Sequence, residues 1–222
     1  MVLYGAPSTL NIALDTMIRH GRAVVKGSSH ACVVVDLPFA SYQPSRELAC
    51  TNAMRVLAET GAGAIKLEGG EAMADTVRYL VERGVPVMGH VGLMPQHVNT
   101  LGGYRYQGKT EASWQQVLRD AGAVAAAGAF SLVLEGVTES LAEAVTAAVE
   151  IPVIGIGASA ACDGQILVTE DLLGLTERAP RFVKCYANLR HVIEQAASAY
   201  AEEVKSRSFP AEEQVVPAPA GI

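Results

Sequence analysis

The stretch GAGAIKLEGG, residues 61–70, has the pattern of a buried strand that ends in two charged residues and a glycine pair. Side chains alternate faces along a strand, so Lys66 and Glu68 share one face while Ile65 and Leu67 take the other. A cation and an anion on one buried face are costly unless they are paired or bind a ligand. In α/β proteins, sites form at the carboxyl edge of the sheet, where this strand ends. A strand-end ion pair without a function explains these residues about equally well.

Other stretches also have the pattern of buried strands, and each is followed by a helical pattern. The five predicted in addition to residues 61–70 are Ala31–Phe39, Val85–His90, Ser131–Gly136, Ile151–Ser159 and Arg181–Asn188. Alternating strands and helices of this kind predict an α/β fold with a parallel sheet that is covered on both faces. The polar strand ends, with no GxGxxG after the first strand, favour a (β/α)8 TIM-barrel type over a Rossmann sheet. Eight strands close such a barrel, so the first two are expected to be missing here.

The chain is predicted to form a single (β/α) barrel domain over residues 1–205, followed by a tail over residues 206–222. The tail is rich in Pro, Ala and Glu and is expected to be mobile or to contact a neighbouring subunit. Within the domain, Val91–Lys109 forms a long glycine-containing loop without clear periodicity. Loops of this length in compact domains are usually functional, so we expect this one to shape or cover a site.

Composition argues against several classes of protein. Half of the 222 residues are apolar, 18% are charged and the formal net charge is −6, which argues against nucleic acid as a partner. The sequence contains neither an apolar run long enough to span a bilayer nor a secretory signal, so a cytoplasmic protein is expected. The four cysteines form no CxxC pair, which argues against a structural zinc site and a disulfide scaffold. Cys32 and Cys185 are expected to lie in the core.

The last titratable residue on each of four predicted strands falls at the carboxyl end of that strand. These residues are Asp36, Lys66 with Glu68, His90 and Glu135. A single titratable residue at a strand end can occur by chance. Its repetition on four strands favours a clustered site by roughly four to one over strand ends that merely face solvent. His97, in the long loop, is expected to be a surface residue.

The residue types at these strand ends suggest enolate chemistry. Asp36 and Glu68 carry the hard oxygen donors that suit Mg²⁺. Lys66 can neutralise a substrate carboxylate or an enolate oxygen, and Glu135 can act as a general base with a raised pKa. His90 either polarises the substrate or only donates to a backbone carbonyl in the core.

Several strings of this chain resemble ketopantoate hydroxymethyltransferase, the 3-methyl-2-oxobutanoate hydroxymethyltransferase family, and they occur in that family's order. They are DLPFASY (36–42), KLEGG (66–70), GHVGLMPQ (89–96), GGYRYQGK (102–109), LVLEGV (132–137), IPVIGIGAS (151–159) and DGQILV (163–168). The resemblance implies a (β/α)8 barrel, a Mg²⁺ ion and a homo-oligomer, a decamer. It also implies transfer of a hydroxymethyl group from 5,10-methylenetetrahydrofolate to 3-methyl-2-oxobutanoate. The product, ketopantoate, leads to pantothenate and coenzyme A.

The resemblance also implies a role for each strand-end residue other than His90. Asp36 matches the family's aspartate that ligates the metal and contacts the substrate, and Glu68 matches a further carboxylate of the metal site. Lys66 matches the substrate-binding lysine. From its own place at a strand end, and not from the resemblance, His90 is expected to bind substrate with it. Glu135 matches the proposed proton acceptor. The implied mechanism removes the C3 proton of the keto acid, after which the enolate attacks the methylene carbon.

Two departures from the family pattern bear on these expectations. The family begins with two further strands, the second of which ends in Gly-Asp-Ser, and its aspartate binds the metal. This chain opens with MVLYGAPSTL, which resembles the family's sequence directly after that motif. We therefore expect a fragment, or a start codon assigned too far downstream, that lacks one metal ligand. Ser159 also stands where the family usually has glycine, which places the IGIGAS turn in question.

Two alternative functions remain open on the sequence. The first is a Mg²⁺-dependent lyase of the phosphoenolpyruvate mutase and isocitrate lyase type, which also stabilises enolates on a barrel. Such enzymes usually carry a reactive cysteine in a glycine-rich loop with basic neighbours, and no cysteine here has that setting. The second is a truncated homologue without catalytic activity that serves as an assembly or regulatory subunit.

Overall fold

The computed structural model describes residues 3–218, in which a helix follows each strand except the fifth. The strands are β1 (Val34–Asp36), β2 (Ala64–Glu68), β3 (Val87–Gly92), β4 (Ser131–Glu135), β5 (Val153–Ile156) and β6 (Gly164–Gln165). The helices are α1 (Leu14–Gly27), α2 (Arg46–Thr60), α3 (Ala74–Val81), α4 (Val98–Leu101), α5 (Glu111–Ala126), α6 (Glu139–Ala148), α7 (Thr169–Leu172) and α8 (Leu189–Ser206). Contacts between residues group these elements into two compact units, one over residues 3–166 and another over residues 167–218. The domain boundary expected at residue 205 stays a prediction.

The sheet of the first unit is entirely parallel. Its strands lie in the order β1-β2-β3-β4-β5-β6, so each strand pairs with its neighbour in sequence. This is the order of consecutive strands in a (β/α)8 barrel. The expected α/β barrel type is therefore confirmed, with six strands in the described part of the chain.

The two faces of the sheet carry different side chains, as the alternation in the sequence predicts. One face packs on the helices and contributes apolar residues to the hydrophobic core, among them Val35, Leu37, Ile65, Leu67, Leu132 and Leu134. The other face carries the charged and titratable residues of the strand ends. Since the core residues are almost completely buried, the registers of these strands are fixed by which residues must face the helices.

Capping residues determine where α2, the helix that connects β1 to β2, begins and ends. The side chain of Ser45 accepts a hydrogen bond from the Leu48 N–H at 3.1 Å, as expected for an N-cap. The helix ends at Gly61, whose φ of 75° is the left-handed conformation that glycine adopts without strain. Before β1, Ser8 caps a short 3-10 turn, and α1 begins at Leu14. Residues 1–2 of the opening MVLYGAPSTL lie outside the described residues.

The strand predicted over Arg181–Asn188 is wrong. Its backbone forms one turn, in which the Val183 N–H donates to the Pro180 carbonyl, and is otherwise irregular; the Tyr186 N–H donates to the distant Leu172 carbonyl. The sixth strand is instead the short β6, which pairs with β5. Apolar content alone does not make a strand, because a strand also needs a partner for its backbone groups.

The expected burial of two cysteines is also wrong. Cys32 and Cys185 are exposed, whereas Cys50 and Cys162 are the buried ones. Cys32 precedes β1, which begins only at Val34, and Cys185 lies in the irregular segment over residues 181–188. Both positions therefore lack the sheet environment that would bury them.

Ser159 is compatible with the turn that follows β5. The left-handed backbone position of this turn is at Gly157, whose φ is 60°. The Ser159 hydroxyl accepts from the Ala161 N–H at 3.2 Å, and the Ser159 carbonyl accepts from the Gln165 amide at 2.8 Å. The serine therefore stabilises the turn in this chain.

The second unit consists mainly of α8 and the residues after it. Residues 207–218 contain one 3-10 turn, Glu212–Gln214, and are exposed. The last four residues of the expected tail, 219–222, lie outside the described residues. Across residues 3–218, no helix combines the length and apolar character needed to cross a membrane.

Candidate active site

The parallel strands bring the five strand-end residues to one edge and one face of the sheet. Asp36 lies opposite Lys66 in the pairing of β1 with β2, and Glu68 lies opposite His90 in the pairing of β2 with β3. Glu135 ends β4 opposite Gly92. The structure therefore collects all five residues that the sequence singled out.

Lys66 is the central cation of this group. Its Nζ lies 2.8 Å from Asp36 Oδ2 and 3.2 Å from His90 Nδ1. An ammonium group only donates hydrogen bonds, so His90 Nδ1 must accept, and the proton of the neutral ring is assigned to Nε2. Burial, followed by the positive charge of Lys66, lowers the pKa of His90 to about 4. His90 is therefore a neutral donor at physiological pH.

Glu135 has a carboxyl group poised to exchange a proton near neutral pH. Its Oε2 lies 3.2 Å from His90 Nε2, but the geometry makes no aligned hydrogen bond, and Nε2 is left without a partner. Burial raises the pKa of Glu135 to about 7, against the opposing charge of Lys66. A carboxylate with this pKa, close to a cation but not paired with it, has the properties of a general base.

Glu68 is held mainly by neutral groups. Its side chain is only 3% exposed, and its Oε2 accepts a hydrogen bond from the main-chain N–H of Gln96 at 2.9 Å. Oε1 lies 3.9 Å from His90 Nδ1. His97 was expected at the surface, but it is half-buried, and its Nδ1 lies 3.7 Å from Glu68 Oε2 without a hydrogen bond.

Sequence reasoning missed two residues that surround Glu68. Tyr42 and Gln96 are buried, and their side chains hydrogen-bond to each other at 2.9 Å. A signal was present for the second residue: Pro95 favours a helical first turn, and a 3-10 turn does begin there, directly after β3. No comparable signal marks Tyr42, which the sequence places in a loop after Pro38.

The donor set can be tested against a divalent ion. Among residues 3–218, no group of three or more His, Cys, Asp or Glu side chains is arranged to hold a metal. Asp36 Oδ1, however, is a buried carboxylate oxygen without a hydrogen-bond partner. Proteins commonly bind Mg²⁺ through one or two carboxylates, with water and substrate oxygens completing the octahedron. Asp36 together with Glu68 fits that pattern.

The raised pKa of Glu135 predicts a pH-dependent contribution to stability. The folded chain holds this proton more tightly than the unfolded chain, in which the pKa is 4.5. The contribution is present below that value and is lost as the pH rises through about 7. Glu135→Gln lacks this titration. We therefore expect the unfolding free energy of Glu135→Gln minus that of the unsubstituted chain to increase by on the order of 2–3 kcal/mol as the pH rises from about 5 to about 8. Urea unfolding of both proteins at several pH values, without divalent ions, measures this difference. Unfolding free energies that change with pH in the same way in both proteins would contradict the prediction.

The fold is shared with solved enzymes of other activities. The chain resembles the crystal structure of phosphonopyruvate hydrolase in complex with oxalate and Mg²⁺, with a TM-score of 0.55 and 12% sequence identity. The match covers 97% of this chain and 75% of that one. A likeness at this identity concerns the fold alone.

Sequence relatives are much closer. The protein named 3-methyl-2-oxobutanoate hydroxymethyltransferase from Rhodospirillum centenum is 63% identical over 216 residues, which are 97% of this chain and 78% of that protein. The protein of the same name from Brucella canis is 58% identical over 222 residues, 100% of this chain and 81% of that protein. The family model described as ketopantoate hydroxymethyltransferase matches residues 1–212. The chain therefore belongs to the ketopantoate hydroxymethyltransferase family.

Proposed function

We propose that this chain acts as a 3-methyl-2-oxobutanoate hydroxymethyltransferase in the biosynthesis of pantothenate and coenzyme A. The net reaction joins C3 of 3-methyl-2-oxobutanoate to the one-carbon unit of 5,10-methylenetetrahydrofolate. Water supplies the new hydroxyl group, and 2-dehydropantoate and tetrahydrofolate are released. The names of the close relatives support this activity. In the chain itself, the observation that carries it is a carboxylate with a pKa of about 7, Glu135, beside the cationic Lys66.

Glu135 is the proposed general base. Its carboxylate removes the proton from C3 of the keto acid, and the electron pair moves toward the 2-oxo oxygen. The raised pKa makes Glu135 a stronger base than an ordinary glutamate while leaving a large fraction ionised at neutral pH. C3 then attacks the methylene carbon.

Lys66, His90 and Asp36 are the proposed substrate-binding residues. The Lys66 ammonium would pair with the substrate carboxylate or with the developing enolate oxygen, which stabilises negative charge in a site of low dielectric constant. Neutral His90 has a free, buried Nε2 donor that can bond to a substrate oxygen. These contacts would also hold C3 beside Glu135.

Asp36 and Glu68 are the proposed residues for Mg²⁺. Asp36 would contribute its unpartnered Oδ1, and Glu68 a carboxylate oxygen. A bound Mg²⁺ would supply Lewis-acid polarisation of the 2-oxo group, which acidifies the neighbouring C3–H. The folate co-substrate, assembly into a homo-oligomer and a cytoplasmic location stay predictions.

A pH profile tests the role of Glu135. The base must be ionised to accept the C3 proton, so kcat/KM should rise with pH and level off above about 7. The assay measures 2-dehydropantoate formed from 3-methyl-2-oxobutanoate and 5,10-methylenetetrahydrofolate with Mg²⁺. A profile that is flat between about pH 5 and about pH 8 would contradict the proposed base, and the absence of product would overturn the proposed activity.

A further inference from the structure

We infer that Gln96 is a positioning residue that sets how the Glu68 carboxylate is presented to the metal. This inference rests on the proposed role of Glu68 in holding Mg²⁺. Gln96 follows Pro95 in the 3-10 turn after β3 and is 8% exposed. It touches Glu68 through its main chain, whereas its side chain makes three hydrogen bonds elsewhere.

The Gln96 amide has one defined orientation. Its Oε1 accepts from the Tyr42 hydroxyl and from the Gln43 amide, each at 2.9 Å. Its Nε2 donates to the Leu37 carbonyl at 2.9 Å. An amide oxygen has two lone pairs, so both are used. The reversed amide would place its oxygen against the Leu37 carbonyl and its nitrogen against the Gln43 amide nitrogen, so acceptor would face acceptor and donor would face donor. The Gln96 side chain is therefore held in this orientation.

Tyr42 connects the Gln96 side chain to the backbone of Glu68. The Glu68 N–H donates to the Tyr42 hydroxyl oxygen at 3.1 Å, which leaves the hydroxyl proton for Gln96 Oε1. The main chain of Glu68 and the side chain of Gln96 thus share one hydroxyl group.

The hydrogen bonds of the Gln96 side chain also fix the position of its main-chain N–H. That N–H donates to Glu68 Oε2 at 2.9 Å. Oε2 is thereby engaged, whereas the nearest basic nitrogen to Oε1 in the described part of the chain is His90 Nδ1, at 3.9 Å. The amide also bonds to the carbonyl of Leu37, the residue after Asp36. Gln96 therefore ties together the ends of the two strands that carry the proposed metal-holding carboxylates.

Binding of Mn²⁺ alone tests this role, since Mn²⁺ takes the oxygen ligands that Mg²⁺ takes. The variant Gln96→Met keeps the length of the side chain but removes its three hydrogen bonds. We expect Mn²⁺ binding to weaken about 10–100-fold, the range typical for residues that orient a ligand. The matched control is Gln165→Met, which removes a similar bond from an amide to the Ser159 carbonyl and should leave binding unchanged. Electron paramagnetic resonance of free Mn²⁺ gives the dissociation constants.

Kinetics separate positioning from a general loss of structure. If Gln96 acts through Glu68, a high Mg²⁺ concentration should restore most of the kcat of Gln96→Met. A merely structural defect would lower kcat at every Mg²⁺ concentration, and that result would overturn the inference. Should Gln96→Met fail to fold, Tyr42→Phe removes only the shared hydroxyl and should still weaken Mn²⁺ binding several-fold.

The variant Glu68→Gln distinguishes failure of the inference from failure of the proposed metal site. Weak binding in both Glu68→Gln and Gln96→Met supports the inference. Weak binding in Glu68→Gln with unchanged binding in Gln96→Met and Tyr42→Phe overturns the inference alone. Unchanged binding in Glu68→Gln overturns the proposed role of Glu68, and the inference with it.

Discussion

Glu135→Gln is expected to lower kcat on the order of 10²–10⁴-fold, the usual contribution of a positioned general base. The amide has nearly the shape of the carboxyl group but cannot accept the C3 proton. Glu135 is only 17% exposed and makes no aligned hydrogen bond to His90, so the substitution leaves the neighbouring side chains in place. The KM for 3-methyl-2-oxobutanoate should change little, because Lys66 and His90 provide the proposed contacts.

The control for this variant is Glu139→Gln at the exposed first residue of α6. It makes the same chemical change four residues away, outside the group of strand-end residues. We expect its kcat to equal that of the unsubstituted chain. If Glu135→Gln retained full activity, another group would have to remove the C3 proton.

Lys66→Met is expected to lower kcat/KM on the order of a hundredfold or more, in line with the loss of one partner from a partly buried charge pair. The substitution removes the cation that lies 2.8 Å from Asp36 and 3.2 Å from His90. Substrate carboxylate would then face Asp36 without a counter-charge. The loss should appear largely in KM, since Lys66 is proposed to bind substrate in the ground state as well.

The same variant makes a prediction about pH. Lys66 lowers the pKa of Glu135, against the larger effect of burial. Its removal should therefore move the acidic limb of the pH profile to higher pH. The control is Lys26→Met in the last turn of α1, where the side chain is exposed. An unchanged acidic limb in Lys66→Met would show that the limb does not report Glu135.

The strand-end residues were predictable because two simple constraints act together. In β2, Ile65 and Leu67 must face the helices, so alternation places Lys66 and Glu68 on the opposite face. In a parallel sheet the carboxyl ends of all strands meet at one edge. Local periodicity and strand direction therefore suffice to group Glu135 with residues far away in sequence.

The environment of Glu68 was not predictable in the same way. Tyr42 and Gln96 are 54 residues apart, and Gln96 bonds to Leu37 across 59 residues. Such contacts depend on how loops fold back over the sheet, which has no sequence period. The wrong strand at Arg181–Asn188 has a related cause, because a strand requires a partner that sequence pattern alone does not supply.

The proposed reaction begins when Glu135 removes the C3 proton of the keto acid. Deuterium exchange at C3 of 3-methyl-2-oxobutanoate in D2O, followed by proton NMR with Mg²⁺ but without folate, tests it most directly. We expect exchange that is catalysed by the unsubstituted chain and slowed on the order of 10²–10⁴-fold in Glu135→Gln. Exchange at the same rate in both proteins would contradict it.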